Sequence, residues 1–240
     1  MVYRTLPLVL LFLMSFAPKA TNNVKYTKTD PALVANNVAV TMAAKIEMVY
    51  NSLNANNFAL PQMNCFQKAM EGYYALKQKG IVEKDILTVI DFSMSSTKKR
   101  LWVIDLASNT ILFNTVVSHG MKSGGEYANS FSNALNSNKS SLGFYVTGET
   151  YVGKHGLSLK LDGQEKGIND NARARAVVMH SANYSNPSIL KSQNFLGRSQ
   201  GCPAIPEALK EKIINTVKGK SCLFIFHPSR SYEIATKLVS

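Results

Sequence analysis

The fold class is decided by ILTVIDF (86–92), RLWVIDL (100–106) and TILFNTVVS (110–118). Each stretch is short and rich in β-branched residues, and each partly alternates between apolar and polar positions, which is typical of β-strands. Only three residues, 107–109, separate the second stretch from the third, so we expect these two strands to form a hairpin. Further strands are predicted at 143–148, 158–162, 174–180 and 221–226.

Helical patterns precede these strands. After Asp30 and Pro31, which suit a helix start, apolar residues recur at helical spacing: Val34, Val38, Met42, Ile46 and Val49. A second helix is predicted from about residue 62 to 78, closed by Gly80, and a short one follows Pro206. The fold is therefore predicted to be mostly β, a sandwich or barrel with peripheral N-terminal helices, and α+β overall.

The first twenty residues have the pattern of a secretory signal. Arg4 precedes a mostly apolar run at 6–16, and small residues follow at Ala17 and Ala20. The run is too short to cross a bilayer, so no transmembrane span is expected in the mature chain. An uncleaved N-terminal anchor is the alternative, because the two residues before Ala20 make a poor cleavage site. We expect an exported protein of the periplasm or cell envelope.

The length allows one good-sized domain with a small addition. The chain has 240 residues, of which 45% are hydrophobic. We predict a signal peptide at 1–20, a helical segment at 21–80 that packs on the main domain, and the main domain itself at 81–240. The sequence leaves the oligomeric state open.

The chain is basic, with a formal net charge of +12. The electrostatic field of a positive charge of this size attracts polyanions. An exported protein meets the anionic cell wall rather than nucleic acid, so we expect no nucleic-acid partner. A solvated face of dispersed lysines explains the charge equally well.

Three cysteines leave at least one thiol unpaired in an exported chain. Cys65 and Cys222 could form a disulfide, but Cys65 lies in a helical pattern and Cys222 in an apolar run. Two buried, reduced thiols are therefore the favoured interpretation for this pair. Cys202 needs a separate explanation.

The candidate chemistry lies in AVVMHS (176–181) and GRSQGCP (197–203). His180 ends an apolar strand, and Gly201 allows another group to approach Cys202 closely. A cysteine attacks as its thiolate, and a neighbouring imidazole can take the thiol proton and return it to the leaving amine. The backbone amides of Gly201 and Cys202 are the predicted donors to an oxyanion. Taken alone, however, a buried inert thiol and a strand-end histidine would fit the same residues.

The sequence from about 92 to 226 resembles the murein L,D-transpeptidase catalytic domain family, the YkuD-like L,D-transpeptidases. The nucleophile block is Gly-Arg-Ser-x-Gly-Cys-Pro, with His180 upstream. Further matching blocks are Asp91-Phe-Ser, Leu101-Trp-Val-Ile-Asp105, Ser118-His-Gly120, Ser140-Ser-Leu-Gly143, Thr147-Gly-Glu-Thr-Tyr151, Gly153-Lys-His-Gly156 and Asn169-Asp-Asn-Ala172. The combined blocks are far more specific than a cysteine and a histidine.

The resemblance implies a mostly β catalytic domain that acts on peptidoglycan peptide stems without a cofactor. It makes Cys202 the nucleophile and His180 the base. The thiolate attacks the bond between the L-centre of the diamino acid and the terminal D-alanine, and an amine from another stem resolves the acyl-enzyme. If water resolves it, the enzyme is an L,D-carboxypeptidase. Two competing functions stay open: a cysteine amidase that only hydrolyses, and a non-catalytic wall-binding module.

The sequence departs from the family at two positions. Gln200 stands where the familiar motif has histidine, and Ser181 stands where glycine is common. Gln200 does not titrate, which leaves the role of base to His180. The carbonyl of Ser181 is a candidate to orient the imidazole.

Several neighbouring residues are predicted to contact substrate or oxyanion: Ser181, Arg198, Ser199, Gln200, Gly201, His155 and His119. Arg198 would bind a stem carboxylate through its guanidinium, or would form an ion pair that fixes the loop. His119 and His155 each adjoin a glycine, which suits a substrate contact or a turn. No metal site is expected, because neither Cys-x-x-Cys nor His-x-x-x-His occurs.

Overall fold

The computed structural model describes residues 42–239, so the predicted signal peptide at 1–20 and residues 21–41 lie outside the described residues. Helix α1 covers residues 42–51 of the described part. Helix α2 (Met63–Gln78) buries one face, which includes Phe66, Met70 and Tyr73. It ends just before Gly80, whose φ of +68° suits glycine at a helix end.

The strands of the described region form one sheet in the order β3-β2-β1-β8-β4-β5-β6-β7. Their bounds are β1 Ile86–Asp91, β2 Leu101–Asp105, β3 Thr110–Thr115, β4 Gly143–Gly153, β5 Gly156–Gly163, β6 Val178–Ser181, β7 Ala204–Ile205 and β8 Cys222–Phe226. Two further helices are α3 (Lys210–Val217) and α4 (Arg230–Ala235). The prediction of a mostly β fold with peripheral helices is confirmed.

The centre of the sheet is buried and mostly apolar. Strand β1 pairs in antiparallel with β2 and in parallel with β8. All five residues of β8 are buried, and so are five of the six in β1. Buried strands of this kind read as continuous apolar runs because both faces are covered. Helix α2 covers one face, and its buried residues belong to the same core as the strands.

The segment before α2 is bound to the predicted hairpin. Strands β2 and β3 pair in antiparallel across the turn at 107–109, which confirms the hairpin. The backbone amide of Asn54 donates to the carbonyl of Asn109 at 2.7 Å, and the backbone carbonyl of Asn54 accepts from the amide of Ile111 at 3.0 Å. The indole of Trp102 donates to the carbonyl of Ala59 at 2.7 Å. The boundary at residue 80 stays a prediction, since helix and sheet share one core.

The two ends of the sheet approach each other. Ser118 follows β3 in the chain, yet it forms an antiparallel bridge with Ala204 in β7 at the opposite end of the strand order. The amide of Ser118 donates to the carbonyl of Ala204 at 2.9 Å. Strand β7 also runs parallel to β6, where His180 faces Ala204. The sheet is therefore nearly closed, and the closure brings the end of β6 beside the chain that precedes β7.

Several elements differ from the predicted bounds. The strand predicted at 174–180 begins at Val178, because Ala176 has a φ of +54° and lies in a turn. Strand β4 continues past 148 to Gly153 and makes a hairpin with β5. The helix predicted after Pro206 is present as a 3-10 turn followed by α3. Strand β7 and helix α4 have no counterpart among the predicted elements.

All three cysteines are unpaired, and Cys65 and Cys222 are both buried. Burial raises the pKa of both thiols. Within residues 42–239, no helix combines the length and the apolar character that crossing a membrane requires.

Candidate active site

A cavity of about 420 Å³ opens where the sheet closes. Its walls come from the end of β6, the β4–β5 hairpin and the loop that leads to β7. Six of the predicted site residues line it: Cys202, His180, Arg198, Ser199, Gln200 and, from the hairpin, His155. The volume lies in the range of pockets that hold one small ligand.

The thiol of Cys202 lies against the start of β6. The amide of Val178 donates to Sγ at 3.4 Å, and Sγ lies 3.6 Å from the carbonyl of Ala176. The side chain is half-buried. Burial raises the pKa of Cys202, and the Val178 amide and nearby cations oppose that shift only in part. The resting group is therefore a thiol, not a thiolate, at neutral pH.

His180 has a defined tautomer. Its Nδ1 lies 2.9 Å from the carbonyl of Ser181, in agreement with the role predicted for that carbonyl. A carbonyl only accepts, so Nδ1 carries the hydrogen and Nε2 keeps the lone pair. The residue is 3% exposed and lines the cavity. Burial lowers its pKa more than the Ser181 bond raises it, so the imidazole is neutral at neutral pH.

The hydroxyl of Ser199 fixes the loop before Cys202. It donates to the carbonyl of Cys202 at 2.7 Å and accepts from the amide of Gly201 at 3.0 Å. The backbone amide of Ser199 also donates to the carbonyl of His119, in the segment that follows β3, at 2.9 Å. The loop is thus held at its centre and at its upstream end.

Gly201 is required by its backbone and by its neighbours. Its φ is +127°, and a Cβ there would lie 2.8 Å from the carbonyl oxygen of Lys139. The hydroxyl of Ser140 donates to the Gly201 carbonyl at 3.0 Å. Two loops therefore meet at a position that only glycine fits without strain.

The predicted pair of oxyanion donors needs a correction. The amide of Gly201 already donates to Ser199 and is buried, so it is not available to a substrate. The amide of Cys202 has no acceptor among residues 42–239. Cys202 therefore keeps a free backbone donor.

Arg198 and Gln200 are exposed on the cavity wall. Arg198 donates to the carbonyl of Gly124 at 3.2 Å, and its guanidinium carbon lies 5.5 Å from the ring centre of Phe195. No carboxylate of the described chain forms an ion pair with it. The alternative of an ion pair that fixes the loop is therefore wrong for this region.

The two predicted accessory histidines lie in different places. His155, at the tip of the β4–β5 hairpin, stacks on His180 with ring centres 4.4 Å apart. His119 is 1% exposed and does not line the cavity. Arg100 donates to its Nδ1 at 2.8 Å. Burial and this guanidinium lower the pKa of His119 to about 4, and its backbone supports the Ser199 loop. A direct substrate contact at His119 does not fit this placement.

Two cationic residues of the cavity are absent from the predicted site. Arg175 lies in the turn before β6, where its guanidinium donates to the loop at 132–141, including the carbonyls of Ser132 at 2.8 Å and Lys139 at 2.5 Å. Lys154 stands beside His155 on the hairpin tip. The block Gly153-Lys-His-Gly156 gives a signal for Lys154, but nothing local to Arg175 reveals the loop that it binds. Within residues 42–239, no cluster of three or more His, Cys, Asp or Glu could hold a metal ion.

Similar solved structures are distant in sequence. An L,D-transpeptidase from Mycobacterium smegmatis has 13% identity over 60% of this chain and 59% of its own, with a TM-score of 0.37. An L,D-transpeptidase from Mycobacterium tuberculosis H37Rv has 13% identity over 60% and 58%, with a TM-score of 0.36. The helical cell shape determining protein Pgp2 from Campylobacter jejuni has 13% identity over 70% and 61%, with a TM-score of 0.39. The chain spans about three fifths of the length of these structures.

No curated protein matches the chain significantly. A family model described as the L,D-transpeptidase catalytic domain matches residues 59–226, which include α2, the whole sheet and both cavity walls. The match covers well over half of the 240 residues, and it includes Cys202 and His180. The chain therefore belongs to the L,D-transpeptidase catalytic domain family.

Proposed function

We propose that the protein is a peptidoglycan L,D-transpeptidase that forms an acyl-enzyme on Cys202. The observation that carries the proposal is that Cys202 and His180 line one cavity while the Ser181 carbonyl holds the imidazole with Nε2 as the acceptor. A thiol and a base in one cleft are the minimum for nucleophilic acyl transfer. Membership of the family supports the choice of a murein stem as substrate.

The first half-reaction is acylation. Nε2 of His180 takes the proton from Sγ of Cys202 as the sulfur attacks the carbonyl carbon between the diamino acid and the terminal D-alanine. The tetrahedral intermediate then collapses, the C–N bond breaks, and the imidazolium gives its proton to the departing amine. D-Alanine leaves, and a thioester joins the rest of the stem to Cys202.

Charge develops on the carbonyl oxygen during this step. The Cys202 amide is a backbone donor that the loop leaves free, and it belongs to the residue that attacks. A preorganised donor of this kind is worth about 3 kcal/mol of transition-state stabilisation. The Ser199 hydroxyl supports it indirectly, because it fixes both Gly201 and the Cys202 carbonyl.

The second half-reaction transfers the acyl group. An amine of a neighbouring stem loses a proton to Nε2 and attacks the thioester, which forms a new amide and returns the thiol. Water in place of the amine gives an L,D-carboxypeptidase. The cavity is open to solvent on the Arg198 and Gln200 side, which gives an acceptor access to the thioester.

Both catalytic groups are neutral before substrate binds. Burial raises the pKa of Cys202 and lowers the pKa of His180. These directions favour proton transfer during attack over a preformed thiolate–imidazolium pair. An apo-enzyme that works this way reacts slowly with simple alkylating agents at neutral pH and quickly with a bound acyl donor.

The signal-like residues 1–20 support export, and the basic charge of +12 supports contact with the anionic wall. We therefore place the protein in the periplasm or cell envelope, with peptidoglycan stems as its partner.

The proposal is tested with disaccharide-tetrapeptide murein fragments, whose products are resolved by mass. Wild type, Cys202→Ala and His180→Ala are compared, with Ser192→Ala on the exposed loop as the matched control. We expect release of D-alanine with formation of dimers in the wild type and control, and neither product in the two site variants.

The competing functions give different products. D-Alanine without dimers, even with an excess of amine acceptor, would identify a carboxypeptidase or another hydrolytic amidase. Binding without any product from the wild type would identify a wall-binding module and would overturn the proposed enzyme.

A further inference from the structure

Glu165 is a buried acid without a cationic partner. It is 5% exposed, and no lysine or arginine within residues 42–239 forms an ion pair with it. Burial raises the pKa of its carboxyl group. A buried carboxylate needs hydrogen bonds that offset the cost of removing it from water. The donors around Glu165 therefore show which parts of the chain the carboxylate joins.

Two of those donors belong to the C-terminal end of the chain. The hydroxyl of Thr236 donates to Oε1 of Glu165 at 2.5 Å, and the hydroxyl of Tyr232 donates to Oε2 at 3.1 Å. Tyr232 lies in α4, and Thr236 directly follows that helix. The family model ends at residue 226, so both hydroxyls come from outside the matched domain. The carboxylate thus bonds this C-terminal segment to the interior of the domain.

The third donor is the start of β4. The backbone amide of Phe144 donates to Oε2 of Glu165 at 2.7 Å. Gly143 has a φ of +95°, and a Cβ there would lie 2.1 Å from Oε2, so this close approach requires glycine. The side-chain amide of Asn169 donates to the carbonyls of Leu142 and Phe144, both at 2.9 Å. Glu165 and Asn169 together fix the backbone where β4 begins.

The chain just before β4 supports the loop that carries Cys202. Ser140 lies four residues before Phe144, and its hydroxyl donates to the carbonyl of Gly201 at 3.0 Å. Gly201 directly precedes Cys202, so a shift of Ser140 is passed on to the nucleophile. The backbone from Ser140 to Phe144 is therefore held at one end by Glu165 and contacts the active-site loop at the other.

We propose that Glu165 is a positioning residue for Cys202 and that α4 and Thr236 complete its support. The two hydroxyls hold the carboxylate against β4, and the chain before β4 holds the loop that carries Cys202. Without the hydroxyls the carboxylate keeps only one of its three donors. This role rests on the proposed function, in which Cys202 attacks, and goes beyond it because it makes residues outside the family domain part of the support of the active site.

A hydrogen bond that only stabilises the fold has a matched example elsewhere in the chain. Tyr73 is 3% exposed, as is Tyr232, and its hydroxyl also donates to a carboxylate, that of Asp85, at 2.6 Å. Asp85 directly precedes β1, whereas the register places the start of β4 level with the end of β1. Tyr73→Phe therefore removes the same kind of bond at the opposite end of the sheet.

The first experiment measures turnover of a tetrapeptide donor by three variants of the cluster: Tyr232→Phe, Thr236→Val and Glu165→Gln. At a temperature at which every variant is folded, we expect kcat to fall about tenfold and KM to stay within about twofold, because a misplaced nucleophile slows the reaction without removing a substrate contact. The control, Tyr73→Phe, should keep the wild-type kcat. Wild-type kcat in all three cluster variants, or an equal loss in Tyr73→Phe, would overturn the positioning role.

A double-mutant cycle tests the coupling through Ser140. Ser140→Ala removes the hydroxyl that holds Gly201, and Tyr232→Phe removes a bond at the other end of the same contacts. The effects of distant, independent residues on kcat multiply, whereas the effects of coupled residues do not. We expect the double variant to be about threefold faster, or more, than the product of the single effects. A double variant that matches the product would overturn the coupling.

The rate at which iodoacetamide alkylates Cys202 is a readout that needs no substrate. Burial raises the pKa of this thiol, so displacement of its loop should expose it and increase the rate about threefold or more in Tyr232→Phe, but not in Tyr73→Phe. If the wild type turns over no donor, the proposed function fails, and the alkylation rate alone decides the positioning role. Equal rates in the wild type and both variants would then overturn it.

Discussion

Gly201→Ala should destabilise the protein and reduce its activity by displacing the loop at 197–203 that carries Cys202. A side chain at a φ of +127° costs about 1–3 kcal/mol in backbone strain. The new Cβ would also lie 2.8 Å from the Lys139 carbonyl, and overpacking of this kind costs about 1–3 kcal/mol more. We expect the free energy of unfolding to fall by about 4 kcal/mol, from the middle of both ranges.

The matched control is Gly167→Ala. Gly167 also has a positive φ, +80°, but a Cβ there would meet nothing within 4 Å. It should therefore lose only about 1 kcal/mol for its left-handed conformation. Urea denaturation of both variants and the wild type measures the difference, which isolates the close approach of the two loops at Gly201.

The two variants should differ more in kcat/KM than in stability. The loop that carries Gly201 must move to relieve the contact, and this displaces Cys202 and its amide. A shift of about 1 Å at reacting atoms costs on the order of 100-fold in rate. Gly167→Ala should keep wild-type kcat/KM. Equal stability of the two variants, with full activity in Gly201→Ala, would refute the packing that holds the nucleophile.

Burial lowers the pKa of His180, and the base must be neutral, so the acidic limb of the kcat/KM profile should have its midpoint below the ordinary histidine pKa of about 6.5. A midpoint above that value would contradict this. The native protein should form one iodoacetamide adduct, at Cys202, and the urea-denatured protein should form three, because the other two cysteines are buried. Intact-mass analysis counts the adducts. More than one adduct on the native protein would be inconsistent with that burial. Ser199→Ala leaves the Gly201 amide without its acceptor, so it should lower the free energy of unfolding by about 1–3 kcal/mol and lower kcat/KM at least tenfold. Urea denaturation and turnover assays, with Ser192→Ala as the control, measure both effects. Wild-type stability and wild-type kcat/KM in Ser199→Ala would argue against the role of the hydroxyl.

The fold is largely predictable from sequence because its strands carry local signals. Residues 86–118 combine β-branched runs with a three-residue turn, and these features suffice for β1 to β3. Strand β7 has only two residues, too few for a periodic pattern. Its pairing with Ser118 joins residues far apart in sequence, so the closure of the sheet has no local signal.

The site is predictable where a residue acts through its own chemistry. Cys202 and His180 stand in a specific motif, and the Ser181 carbonyl follows His180 directly. The substrate contact of His119 stays a prediction, because sequence does not show which way a strand-end side chain points, and in the structure Arg100 holds this ring in the interior. The engagement of the Gly201 amide also has no sequence signal, because it depends on the conformation of the loop.

The central claim is that Cys202 carries the acyl group, and intact-mass analysis of the protein during turnover of a tetrapeptide stem tests it most directly. We predict a transient increase equal to the mass of the stem less alanine, which peptide mapping assigns to Cys202. The adduct should be absent from both Cys202→Ala and His180→Ala. Turnover of the stem by Cys202→Ala, or an adduct on another residue, would contradict the account.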